Sequence, residues 1–424
     1  MFKTLRDAWK VAELRKKMLF TLLCLFIFRL GSHIPAPFIN KDIIRQIFEG
    51  AQGSVLGFLD LMAGGSFSQM SIFAMNIYPY ITASIIIQLL TVAIPKLEEL
   101  AKEGQEGRRK LNKITRITGV ALAAIQAIGT VFGLYASAVT ATGFLQSFIM
   151  IVTLVAGTSF LVWLGDQITE KGVGNGISLI IFIGIISRLP SNILQNIRLA
   201  QAGAASWLSV IIYFAILVLI VAFVVLIQEG ERRVPVQYAK RVVGRRVYGG
   251  QATHIPIKVN MASVMPVIFA STFMQIPGTI ALLSKGGFAK FLQNFFTPQG
   301  QAGFWIYLLL NFTLIVFFTY FYNAIQFNTV EYAKNIQSQG GFIPGIRPGK
   351  PTSQFLSRTV NRITLIGGLA LAALSTAPLL LSHFSNLQVG FQGTALIIVV
   401  GVALETVKQL EAQMTMRHYK GFLG

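Results

Sequence analysis

The sequence predicts an all-α membrane protein with ten transmembrane helices, and three observations carry that prediction. Charged residues fill 12% of the 424 positions and hydrophobic residues 54%, whereas soluble domains carry about 25% charged residues. Charge-free windows long enough to cross a bilayer recur along the chain. One such window, between Asp60 and Lys96, is broken in its middle.

The first span falls at 18–30, where the apolar run Met18–Phe28 follows Lys16 and Lys17 and precedes Arg29. The run has the flanks and length of a secretory signal. No small-x-small cleavage site follows it and nine more spans do, so it reads as a short first helix.

The broken window comes next. Leu61–Ser71 is rich in Gly and Ser and only weakly apolar, while 72–94 is a membrane-length apolar helix interrupted by Pro79. A loop or short helix followed by a kinked span is backbone that enters the bilayer without crossing it. Lipid does not tolerate this; a protein-lined, water-accessible cavity does. The chain is therefore expected to surround a pathway through the membrane.

The 49 uncharged residues Ile117–Gly165 hold two spans, at 117–138 and 148–164. Ile177–Ser187, after Lys171, supplies the fifth at 176–187. Leu199–Gln228, Val259–Ser284 and Phe291–Val330 supply one each, at 207–227, 262–283 and 304–327. The 42 uncharged residues Ile363–Leu404 supply the last two, at 363–381 and 394–408.

Ten spans place both ends on one side. That side holds 29 of the 36 Lys and Arg residues, and the other holds 7, counting Arg29. The net charge of +20 thus follows the positive-inside rule, which puts both termini in the cytoplasm. The stretch NIRLAQAGAAS, around Arg198–Ser206, separates five spans from five. It divides the chain into residues 1–198 and 199–424, which permits two pseudo-symmetric halves. The lone cysteine, Cys24, excludes an internal disulfide.

Two inner loops, at 228–260 and 328–362, are long, basic and rich in β-branched and aromatic residues, unlike a disordered linker. In the first, RVPVQYAKR and RRVYGGQ alternate apolar with polar, with Gly249-Gly250 between possible strands, which suggests a hairpin. In the second, GGFIPGIRPGK holds four Gly and two Pro in eleven residues, implying a rigid turned tip.

No catalytic or cofactor chemistry is legible. His33, His254, His383 and His418 are scattered without metal-ligand spacing. GIRPGK departs from the phosphate-loop spacing, and GVGNG is not a dinucleotide motif. No metal, cofactor or enzymatic activity is expected, so energy for directed work must come from a partner or a gradient. Polar residues within the spans, such as Thr82, Ser84, Gln88, Gln126, Gln275 and Asn311, are uncharged. Buried charges usually mark the pathways of ion-coupled transporters. A pathway without them suits cargo of varied chemistry.

Several long segments resemble the SecY family of bacterial protein-translocation channels: GFLDLMAGGSFSQMSIFAMNIYPYITASIIIQLLTV (57–92), WLGDQITEKGVGNGISLIIF (163–182), YAKRVVGRRVYGGQATHIPIKVNMASVMPVIFAS (238–271) and GGFIPGIRPGKPT (340–352). Their order and spacing fit over essentially the whole chain. The resemblance implies a passive pore in the bacterial plasma membrane that passes unfolded secretory polypeptides and releases transmembrane segments sideways into lipid. It implies an aliphatic pore ring of Ile77, Ile81, Ile181, Ile268 and Ile398. It also implies a plug helix over 55–69, including Leu59, Leu61, Met62, Gly64 and Gly65, and a lateral gate with polar positions at Thr82 and Gln126. Docking contacts are expected at Arg245, Arg246, Arg347 and Lys350. The implied partners are the SecE and SecG subunits, the SecA ATPase, the ribosome through its RNA, signal peptides, nascent polypeptides and membrane lipid. The chain departs from the family pattern at Thr329, Gln337 and Ser338. The alternatives are a secondary transporter of a small solute, which also uses broken helices, and a membrane scaffold that docks ribosomes without conducting.

Overall fold

A computed structural model describes residues 2–40, 42–44, 60, 63–134, 138–139, 143–202, 206–238, 241–243, 246–248, 252–261, 263–283, 287–296, 301–385 and 393–420. The chain opens with α1 (Phe2–Lys10) and α2 (Ala12–Gly31). After the segment ending at Ile77 come α3 (Tyr78–Ala93), α4 (Pro95–Lys102), α5 (Gln105–Gly129) with a π turn at Thr130–Leu134, α6 (Phe144–Lys171), α7 (Gly176–Gln201) and α8 (Trp207–Glu229). Strands β1 (Glu231–Tyr238), β2 (Arg241–Val243), β3 (Arg246–Tyr248) and β4 (Ala252–Lys258) follow. The rest comprises α9 (Met265–Leu283), α10 (Gly287–Phe296), α11 (Gln301–Gln326), α12 (Thr329–Ser338), β5 (Gly341–Phe342), α13 (Lys350–Ser385) and α14 (Gly393–Lys420).

Each expected span coincides with a helix, yet not every helix meets the length and apolarity of a span. Among the described residues seven do, or eight if α3 and α4, bent by 101° at their junction, count as one. α2 holds Glu13, Arg15, Lys16, Lys17 and Arg29, and the apolar part of α9 covers only Met265–Pro277. The spans turn apolar side chains such as Val218, Leu226 and Leu309 outward. A surface of this kind suits lipid, since a helix apolar all round is either a core helix or a membrane span.

Three boundaries depart from expectation. Pro79 does not kink a span running from 72; it sits at the N-terminus of α3. A proline there gives up only an N–H that the first turn leaves unbonded anyway. Residues 72–77 form turns, with Asn76 in the left-handed region at φ 49°. α7 continues beyond Ser187 through Pro190 to Gln201, so Arg188 lies inside a helix. Residues 350–362, expected in a loop, are the first turns of α13.

Strand pairing also differs from the expected hairpin. β1 pairs antiparallel with β4, from Glu231↔Lys258 to Gln237↔Ala252, and with β5, while β2 and β3 form their own short hairpin. Gly249 and Gly250 lie outside the described residues. Val234, Val236 and Ile257 of the larger sheet are buried against Ile336 of α12 and Leu356, Val360 and Ile363 of α13. The basic loops are therefore a packed platform with its own small core.

Both termini gather at one end of the bundle. Thr4 donates a 2.8 Å hydrogen bond to Glu411, and Ala8, Leu14, Val173 and Leu410 pack together. The Lys408–Glu229 ion pair, at 2.7 Å, ties the start of the β platform to the same end. The main core draws residues from α2, α3, α6, α7, α8, α9, α11, α13 and α14. Across the middle of the chain, α7 packs on α8 and α14. On the other side α9 packs on α3 and the π turn.

Candidate functional site

The five isoleucines expected to line a constriction come from separate parts of the chain, and all five are buried in the main apolar core. Ile77 is the N-cap just before α3, Ile81 lies one turn into it, Ile181 is on α7, Ile268 on α9 and Ile398 on α14. Their exposure is 0–7%. None points outward to lipid. Each of the five is a branched aliphatic side chain, which offers no hydrogen bond to water or to an ion.

Above this level along α7 lies the glycine-rich segment. Leu59, Leu61 and Met62, and the rest of 45–59, lie outside the described residues. Residues 63–70 form turns, not a helix. Gly64 and Gly65 take φ of 65° and 89°, in the region that favours glycine. A Cβ on Gly64 would stand 2.8 Å from the Cα of Gly184, and one on Gly65 would stand 2.6 Å from the Arg188 guanidinium. Both glycines are thus needed for conformation and for close approach to α7.

Charges hold the segment in place. Arg188 pairs with the buried Asp60 and also donates to Ser68 Oγ at 2.8 Å. The Ser68 N–H donates to Asp60 Oδ1 at 2.6 Å. From α2, Arg29 Nη1 donates to the Gly64 carbonyl at 2.7 Å. Sequence reasoning treated Asp60 and Arg188 as limits of apolar windows and missed them as partners. Isolation was the available signal, since each is a lone charge flanking a long apolar run.

The two expected gate positions lie on α3 and α5. Thr82 is buried and donates to the Tyr78 carbonyl one turn back, at 3.1 Å. Gln126 is half-buried on α5, one turn before the π turn that α9 packs against. Tyr78 of α3 faces Thr272 of α9 across the same seam.

At the opposite end, Arg245 lies outside the described residues and Arg246 opens β3. Arg347, on the turned segment after β5, and Lys350, which opens α13, are both exposed. Gly340, Gly345 and Gly349 have φ of 73°, 80° and 95°, and the Arg347 carbonyl accepts from Thr352 Oγ1 at 2.9 Å. The tip turns sharply at these glycines and presents its cations outward. Among the described residues no group of three or more His, Cys, Asp or Glu side chains is placed to hold a metal ion.

A family model described as SecY matches residues 71–407. The chain is 44% identical to the protein translocase subunit SecY of Thermus thermophilus, over all of this chain and 98% of that one. It is 42% identical to the SecY of Aquifex aeolicus, over the full length of both. Among solved structures, a protein-conducting channel superposes with a TM-score of 0.67 at 18% identity, covering 97% of each chain. Sec61 from a canine ribosome–channel complex superposes with a TM-score of 0.62 at 17% identity, again covering 97% of each.

Proposed function

The chain belongs to the SecY family, and from that premise we propose that it is the pore-forming subunit of a protein translocase in the bacterial plasma membrane. Unfolded secretory polypeptides thread the bundle between a half made of residues 1–198 and a half made of residues 199–424, with both termini in the cytoplasm. The observation that carries this reading is the meeting of Ile77, Ile81, Ile181, Ile268 and Ile398 in one buried cluster. Aliphatic side chains can part around any sequence without offering it hydrogen bonds, and close again to a waist that stays dry.

Segment 55–69 serves as the plug, displaced when a chain enters. The seam of α3, α5 and its π turn against α9 is the lateral gate, with Thr82 and Gln126 on its helices. An apolar segment leaving through the seam partitions at roughly −0.3 to −0.6 kcal/mol per Leu-type residue. Arg245, Arg246, Arg347 and Lys350 dock the partner that drives transport, either SecA or the ribosome. Arg suits the phosphates of ribosomal RNA through its forked donors, and such contacts position more than they specify. SecE and SecG complete the assembly. The chain itself performs no catalysis, and the push comes from the partner. The small-solute transporter finds no support beside relatives named as translocase subunits.

Proteoliposomes carrying the chain with SecE and SecG test the reading. With SecA and ATP, a preprotein should become protease-protected, and a photoreactive group at position 77 or 268 should cross-link to it. Saturable uptake of a small solute without preprotein protection counts against the channel. Protection without any adduct at either position removes the ring from the pathway.

A further inference from the structure

Asp60, Gly64 and Ser68 are held by side chains of two helices that the chain brings together from far apart. Arg188 of α7 reaches across 128 positions to Asp60, and Arg29 of α2 reaches across 35 to the Gly64 carbonyl. Arg188 lies seven residues beyond Ile181 on α7, which is about 10 Å along the helix axis. The ion pair therefore sits one layer outward from the isoleucine waist, where the segment covers it.

The chemistry of this contact differs from the rest of the interior. Asp60 is 8% exposed, the one buried charged residue among the described residues. One carboxylate oxygen takes the Ser68 N–H and the other takes Arg188. Arg188 Nη2 is shared with Ser68 Oγ, and its Nε has no acceptor among the described residues. The guanidinium groups of Arg29 and Arg188 are close enough to repel. Asp60 is the anion set against that repulsion, and its loss leaves two cations facing the segment with only a hydroxyl and a carbonyl to hold it. Breaking one member of a buried pair is strongly destabilising, because the other charge is left uncompensated.

We propose that Asp60 and Arg188 form an electrostatic latch, supported by Arg29 on the Gly64 carbonyl, that sets how readily the plug leaves the waist. These are positioning residues: they act through the placement of segment 60–68, not by touching the transported chain. The latch suits a reversible closure better than apolar packing alone would. An ion pair is directional, so a small shift of α7 relative to α2 misaligns it. A water-filled pathway, once open, solvates both charges and lowers the penalty for their separation. The inference rests on the reading of 55–69 as the plug.

The test uses the assembled channel in planar bilayers and proteoliposomes. Asp60→Asn and Arg188→Gln should each raise the idle open fraction at least about tenfold, as expected for loss of a buried pair. The exchanged pair, Asp60→Arg with Arg188→Asp, should return it toward the parent value. In a Cys24→Ser background, Ser66→Cys, fully buried in this state, should react with a membrane-impermeant thiol reagent faster in the single variants than in the parent or the exchange. Thermal melting establishes that each variant is folded. Folded single variants that stay as ion-tight and as slowly labelled as the parent overturn the latch. So does a folded exchange that leaks as much as the single variants. If the parent channel fails to import a preprotein, the channel reading falls instead, because that measurement does not depend on Asp60 or Arg188.

Discussion

A single isoleucine in a membrane protein says little, since most such residues face lipid or a neighbouring helix. The five at positions 77, 81, 181, 268 and 398 differ because all are buried in one core although they come from distant parts of the chain. Replacing Ile81 with Gly and Ile268 with Ser together removes two branched side chains from the cluster and adds a hydroxyl. The waist should then hold water in the idle state, and single-channel recordings should show a several-fold higher leak of ions. Unchanged conductance would mean that these residues pack the bundle without sealing it. The charged residues carry the opposite lesson. Asp60, Arg188 and Arg29 are visible in the sequence only as interruptions of apolar runs. Their pairing joins positions 128 and 35 residues apart, and no local pattern encodes that.

Elements were legible to the extent that their apolarity was continuous. The uncharged stretches of 49 and 42 residues each yield two helices where expected, because a buried backbone in lipid has to satisfy its own hydrogen bonds. Boundaries were less legible where chemistry near the helix ends mattered. Pro79 serves a helix start and a helix kink equally well by composition, and the left-handed Asn76 before it decides for the start. The basic loops were legible as ordered but not in their pairing. β1 finds β4 and β5, while the residues between fold back on themselves as β2 and β3. Val236, at 1% exposure, stands in the small core of that platform. Val236→Asp places a carboxyl group with no hydrogen-bond partner in this core, which is strongly destabilising. Limited proteolysis should cut 231–260 much faster in that variant while the membrane helices stay protected, and partner-driven transport should fall. Equal cleavage rates would show that the platform does not depend on this core.

At the scale of the whole molecule, the two sides of the bundle differ in how they are closed. On one side the chain itself connects α7 to α8, and α14 packs beside them. On the other, α3 and the π turn meet α9 with no covalent link nearby. In the proposed channel, the unlinked side is the one that opens. Linking cysteines at positions 78 and 272 with a short bifunctional thiol reagent, in a Cys24→Ser background, should hold that seam shut. Release of an apolar segment into lipid should then be largely lost, while the idle channel stays ion-tight. Undiminished integration of a membrane segment by the linked protein would move the exit elsewhere.

By itself the amino-acid sequence determined a helical membrane protein, its spans, the asymmetry of its charge and the lack of a legible catalytic centre. Those properties follow from local composition, because transfer of side chains into lipid is summed residue by residue over a window of helix length. Only the tertiary structure decided that these isoleucines are buried in one core, that Arg188 pairs with Asp60 and Arg29 with the Gly64 carbonyl, and that α3 packs on α9. These depend on contacts between residues remote in the chain, whose strength comes from geometry and from exclusion of water, and neither is written in any one stretch.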